Sequence, residues 1–181
     1  MTESKLVKLS KLMSLVLRHE PEKFGVVLDA EGYTPMRELL DALRKEQPGV
    51  TEADLRAVVE TVEPQKQRYS IVEDDIRANY GHSLDGKIHH EPAVPPDVLF
   101  HGTAEKALSA ILASGLQPMA RQYVHLTEDR SLALKVGARH GKPRLIQVDS
   151  LRAHADGVVF YKANRSFWLA DRIPAKYMVP N

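Results

Sequence analysis

A chain of 181 residues, 43% hydrophobic and 27% charged, has room for one domain or for two small lobes, each with a buried core. It holds no cysteine, which excludes disulfides, zinc–thiolate centres and thiol nucleophiles and leaves His, Arg, Lys, Ser and carboxylates to carry any chemistry. A formal net charge of +1 excludes a global basic field, so a polyanion would have to meet a local arginine cluster.

The first helix is expected from about Ser4 to Leu17. Leu6, Leu9, Met13, Val16 and Leu17 fall at helical spacing, and Arg18-His19-Glu20-Pro21 ends the run. Residues 25–33 read as short extended pieces around an acidic turn. Thr34-Pro35 then opens a second helix, with Thr34 as N-cap and Met36, Leu39, Leu40 and Leu43 on its buried face. Thr51-Glu52-Ala53-Asp54 has the form of a capping box for a third helix through about Thr61, with Leu55, Val58, Val59 and Val62 inward. Tyr69-Ser70-Ile71-Val72 is a strand. Three short helices and a strand are similar to a winged-helix module.

From Ile88 to Pro96 three prolines suggest a linker. Beyond it the pattern becomes α+β and strand-rich. Strands are expected at 98–101, 124–126, 145–148, 158–161 and 167–169. Helices are expected at 104–114, stopped by Gly115, and at 131–139. Residues 1–90 carry 13 Lys and Arg against 16 Asp and Glu, whereas residues 91–181 carry 12 against 8. No apolar run is long enough to span a bilayer. Met1-Thr2-Glu3-Ser4-Lys5 lacks a secretory pattern, so a cytoplasmic location is the default expectation.

Four clusters draw attention, each with an ordinary reading beside the functional one. Arg18-His19 sits where any cation suits the helix dipole. Lys66-Gln67-Arg68, with Arg77 beyond, reads equally as a solvated turn in which Arg77 pairs with nearby aspartates. Gly81-His82-Ser83 offers an amide, an imidazole and a hydroxyl, which are phosphate donors, or it is a plain surface turn. His101 and His125 lie in neighbouring short strands. Gly102 permits close approach of a ligand to the backbone, and the helix that follows could offer its amides to an anion or a carboxamide. Neither a dinucleotide fingerprint nor a P-loop occurs.

Taken in order, Leu9-Ser10-Lys11, Leu17-Arg18-His19, Lys66-Gln67-Arg68-Tyr69, Ile76-Arg77-Ala78, Gly81-His82-Ser83, Leu99-Phe100-His101-Gly102-Thr103, Arg121-Gln122-Tyr123-Val124-His125-Leu126 and Phe160-Tyr161-Lys162-Ala163-Asn164 resemble the tRNA 2′-phosphotransferase family along nearly the whole chain. The resemblance implies an α+β fold of two lobes. Residues 1–90 would form a winged-helix RNA lobe, and residues 91–181 an NAD-binding lobe of the ADP-ribosyltransferase fold. It implies a metal-independent transfer of an internal RNA 2′-phosphate to NAD, which is consumed as co-substrate. In the first step the phosphate attacks the anomeric carbon of the nicotinamide ribose and nicotinamide leaves. In the second, the neighbouring 2″-hydroxyl attacks the phosphate. The products are RNA with a free 2′-hydroxyl and ADP-ribose 1″,2″-cyclic phosphate.

By the same resemblance Arg18, His19, Arg68 and Arg121 form the catalytic set. His101, Gly102, Thr103 and His125 map to the NAD site, and Arg77, His82, Ser83 and Arg139 to substrate-phosphate contacts. Val158-Val159-Phe160-Tyr161 lacks the late glutamate of protein-modifying relatives, which fits an acceptor that is already anionic. The chain departs from the family pattern at Glu63-Pro64-Gln65 and at Arg165-Ser166-Phe167, where loop contacts are expected to differ. Two alternatives stand beside this reading: an ADP-ribosyltransferase acting on terminal phosphates or another acceptor, and a nucleic-acid-binding module with an inactive NAD lobe.

Overall fold

The structure is a computed structural model that describes residues 2–61 and 66–180. The chain is mixed α and β and divides between His89 and His90 into two units. Each unit has its own apolar cluster. Among the described residues no helix is long and apolar enough to cross a membrane.

The first unit opens with α1, Glu3–Arg18, whose Leu9, Met13, Val16 and Leu17 are fully buried. These positions form one stripe at 3.6-residue spacing. It continues through β1 (Tyr33–Pro35), α2 (Met36–Glu46), α3 (Glu52–Thr61), β2 (Tyr69–Val72) and β3 (Asp75–Ala78). The strands form an antiparallel sheet in the order β1-β3-β2. The expected capping box at α3 is present. The Thr51 amide donates to Asp54 Oδ2 at 2.9 Å, and the Asp54 amide returns a bond to Thr51 Oγ1 at 3.3 Å. Val62 and the departure at Glu63-Pro64-Gln65 lie outside the described residues.

Thr34 is not a helix cap. It is buried in β1 opposite Ile76. The first amide of α2, that of Met36, instead donates to the Asp74 carbonyl at 2.8 Å. Strand pairing holds residues 33–35 extended, and the turn between β2 and β3 supplies the acceptor that a capping side chain would have given.

The second unit runs β4 (Val98–Ala104), α4 (Glu105–Ser114), β5 (Val124–Leu126), α5 (Arg130–Gly137), β6 (Pro143–Asp149), α6 (Ser150–Ala155), β7 (Phe160–Lys162), β8 (Trp168–Ala170) and β9 (Met178–Pro180). Two antiparallel sheets result, ordered β4-β6-β9 and β5-β8-β7. A reciprocal pair of backbone bonds between Phe100 and Thr127 joins β4 to the end of β5.

The proline-rich stretch expected as a linker is tied down. The His89 amide donates to Ala30 O, and the Ala93 amide to Phe160 O, both at 2.8 Å. Ile88 and His90 are both buried. The departure at Arg165-Ser166-Phe167 forms a turn on Asn164, whose Oδ1 accepts the amides of Ser166 and Phe167.

Candidate functional site

In the first unit, the C-terminal end of α1 gathers residues from three places in the sequence. Arg18 is 7% exposed, with its guanidinium carbon 5.6 Å from the Tyr69 ring centre and 5.0 Å from that of Tyr80. Its Nη2 donates to the Arg68 carbonyl at 3.3 Å. A planar cation is thus held against two aromatic rings, a contact that an ammonium makes less well. Tyr69 is itself fixed to α1, its hydroxyl donating to Ser10 O at 2.6 Å.

The segment after β3 wraps this end. The Asn79 amide donates to Arg68 O, and the Asn79 side-chain amide to Gln67 O. Gly81 turns the chain with φ +87°, and a Cβ there would lie 3.5 Å from Arg18 Nη1. The Ser83 amide then donates to the Arg18 carbonyl at 2.9 Å, and His19 Nδ1 lies 2.7 Å from Ser83 Oγ. Arg18, His19, Arg68 and Ser83 therefore share one neighbourhood. A guanidinium can receive a phosphate and an imidazole can move a proton.

Two expected phosphate contacts lie differently. Arg77 does not pair with aspartate. Its guanidinium carbon lies 4.6 Å from the Tyr33 ring centre, and Nη1 donates to Glu31 O. Tyr33 is directly opposite Arg77 on β1, so these contacts point toward β1 and do not include Arg18 or His19. His82 is not in a surface turn: it is 2% exposed, and its Nε2 lies 3.6 Å from where a Cβ on Gly32 would be.

In the second unit, His101 of β4 bonds through Nδ1 to the His125 carbonyl at 2.9 Å. A carbonyl only accepts, so the proton is on Nδ1, and in the neutral ring Nε2 is an acceptor. Burial pushes the His101 pKa below its ordinary value, with the bond to His125 opposing, which favours that neutral ring. The backbone of His125 thereby orients His101. Thr103 is buried in the same strand.

Gly102 faces protein. A Cβ there would overlap the Ala133 carbonyl of α5. Gly137 fits reciprocally, since its Cβ would lie 2.6 Å from Thr103 O. The pair lets α5 press directly on β4. The start of α4 is also occupied. The Glu105 amide donates to Lys142 O, and the Glu105 carboxylate, held low by Arg144 and Lys142, lies beside it.

Arg121 is exposed in the bend before β5, its amide donating to Pro118 O. Arg139 is exposed in a short 3-10 turn, Ala138–His140, after α5. Tyr123, two residues beyond Arg121, is buried in an aromatic group, its ring centre 5.3 Å from that of His90 and 5.3 Å from that of Tyr161. Tyr161 donates to Asp171 at 3.1 Å. Burial pushes the Tyr123 phenol up to about 12, with Tyr161 and Asp171 adding to the effect, so it stays protonated at any physiological pH. Among the described residues no group of three or more His, Asp or Glu is placed to hold a metal ion.

The family described as RNA 2′-phosphotransferase, Tpt1/KptA family, matches residues 4–172. The chain belongs to that family. It is 41% identical over 178 residues to a probable RNA 2′-phosphotransferase of Nostoc punctiforme, covering 98% of each chain. It is 45% identical over 174 residues to one of Acetivibrio thermocellus, covering 94% of each. A third, of Agrobacterium fabrum, is 46% identical over 171 residues, covering 93% of this chain and 91% of its own.

In this member of the Tpt1/KptA family, several residues that build the site neighbourhoods were not singled out by sequence reasoning. Asn79 and Tyr80 join β2 to the end of α1, and His90, Tyr123, Tyr161 and Asp171 form the aromatic group. The usable signal was position. Asn79 and Tyr80 sit between Ala78 and Gly81, and Tyr123 lies inside the Arg121–Leu126 motif.

Proposed function

We propose that the protein is an RNA 2′-phosphotransferase that moves an internal RNA 2′-phosphate onto NAD. The products would be RNA with a 2′-hydroxyl, ADP-ribose 1″,2″-cyclic phosphate and nicotinamide. In this reading the first unit is a winged-helix RNA lobe and the second an NAD lobe of the ADP-ribosyltransferase fold. The observation that carries it is the assembly of Arg18, His19 and the Arg68 main chain at one helix end, from positions 50 residues apart. Membership of the Tpt1/KptA family over residues 4–172 supports it.

Arg18, Arg68 and Arg121 are assigned to the phosphate. A guanidinium keeps its charge at any working pH, and its fork matches phosphate oxygens. Arg18 in particular is pre-positioned, so little reorganisation accompanies charge development on the transferring group. His19 is assigned to proton transfer or phosphate contact, with Arg77, His82 and Arg139 as subsidiary phosphate contacts. The reaction needs no metal in this scheme, because the arginines supply the positive charge.

His101 fits an NAD ribose. With the proton fixed on Nδ1 by His125, Nε2 is suited to accept a hydrogen bond from a ribose hydroxyl. Gly102 and Thr103 follow His101 in β4 and His125 lies in β5, Gly102 acting through its packing on α5 and His125 through its carbonyl.

This assignment has a pH signature. Because burial lowers the pKa of His101 below its ordinary value, its ring is neutral at neutral pH and gains charge only on acidification. Protonation puts a hydrogen on Nε2 and removes the acceptor. Calorimetric titration with NAD is expected to show affinity that is level around and above neutral pH and falls on acidification. Affinity that rises on acidification, or no binding at any pH, would overturn the NAD assignment.

A further inference from the structure

We infer that Ser83 is a positioning residue for His19 rather than a ligand of the substrate phosphate. The inference rests on the functional reading above and adds a residue that acts through His19.

Two contacts from Ser83 hold the same helix end. Its main-chain amide donates to the Arg18 carbonyl at 2.9 Å, closing one of the carbonyls that the last turn of α1 leaves open. Its hydroxyl lies 2.7 Å from His19 Nδ1, across 64 residues of sequence. His19 stands at the C-cap with φ −127° and ψ −47°, outside helical geometry, so the helix alone does not fix where its ring points. The side-chain contact supplies that restraint. A serine hydroxyl both donates and accepts. It therefore stays bonded to Nδ1 whether that nitrogen carries a proton or not, and it holds the ring throughout a proton-transfer cycle. Gly81 makes the arrangement possible: its left-handed backbone brings the chain over Arg18 and delivers Ser83 to His19.

The two contacts can be separated, because Ser83→Ala keeps the amide and loses only the hydroxyl. Single-turnover rates and KM for 2′-phosphorylated RNA would be measured for wild type, Ser83→Ala, Ser83→Thr, His19→Ala and the Ser83→Ala/His19→Ala double variant. The ring nitrogens of His19 would be followed in parallel by 15N NMR. Ser83→Ala is expected to slow transfer about tenfold or more, the scale on which orienting partners act, with KM for RNA nearly unchanged. Ser83→Thr should restore most of the rate. Ser83→Ala should add nothing in the His19→Ala background, since residues acting as one unit are not additive. The His19 Nδ1 resonance should move in Ser83→Ala and return in Ser83→Thr.

A wild-type rate in Ser83→Ala overturns the inference. So does a raised KM with unchanged rate, or an equal further loss in the His19→Ala background, either of which makes Ser83 a direct substrate contact. An unmoved His19 resonance overturns it without reference to activity. If the wild type transfers no phosphate at all, the functional reading fails, and the resonance still decides whether Ser83 holds His19.

Discussion

Gly102→Ala is expected to destabilise the second unit by about 3 kcal/mol or more. The added methyl would overlap the Ala133 carbonyl, which is backbone inside α5 and has no rotamer through which to yield. Overpacking a core commonly costs about 1–3 kcal/mol, and a clash with main chain belongs at or above the top of that range. A domain typically holds only about 5–15 kcal/mol in reserve. Gly157 is the control in the same unit: its φ is +97°, with nothing within 4 Å of a Cβ, so Gly157→Ala meets only backbone strain. That strain is worth about 1–2 kcal/mol. Urea denaturation of both variants would measure the difference. Near-equal midpoints would contradict the packing of α5 on β4 described above. A loss of NAD binding in Gly102→Ala is thus expected to follow from misfolding and not from a lost ligand contact.

Arg18→Lys is expected to cost the largest share of activity for a change that keeps the charge. The guanidinium lies between Tyr69 and Tyr80 and bonds to the Arg68 carbonyl, and a lysine ammonium is neither planar nor able to present two forked donors. If Arg18 stabilises charge developing on the phosphate, the transfer rate should fall about 100- to 1000-fold, as for loss of one pre-organised donor. Affinity for NAD should be unchanged. The variant would be compared with wild type in single-turnover transfer and in NAD titration. Transfer within a fewfold of wild type would remove Arg18 from the phosphate site.

Much of the fold is readable where one strong pattern covers an element. α1 shows its stripe of Leu9, Met13, Val16 and Leu17, and α3 shows its box at Thr51 and Asp54. β4 and β5 show as short apolar runs. α6 and β9 show nothing comparable. α6 is six residues long, less than two turns, and depends on the Asp149 side chain accepting the Arg152 amide. β9 ends in Pro180 and exists by pairing with β6. Thr34 illustrates the opposite failure. Its Thr-Pro signal for a helix start is genuine, yet pairing with Ile76 commits the residue to a strand.

The site was legible as residue types and order, and not as contacts. By spacing alone Arg18 and His19 read as cations suited to a helix end, and the family resemblance is what sets them apart. What surrounds them is Tyr69, Tyr80 and Ser83, brought there by β2 and by the turn at Gly81. No local periodicity encodes a contact across 64 residues. Gly102 shows a packing role that the motif does not reveal, because the space a Cβ would take is filled by the Ala133 carbonyl of α5. His82 lacks apolar neighbours in sequence and is nevertheless buried.

The most direct test is product analysis. The protein would be incubated with NAD and a short RNA bearing one internal 2′-phosphate, in the presence of a chelator, and the nucleotides resolved. The account predicts dephosphorylated RNA together with ADP-ribose 1″,2″-cyclic phosphate and nicotinamide. NAD consumed with a stably ADP-ribosylated acceptor, or RNA bound with NAD untouched, would contradict it.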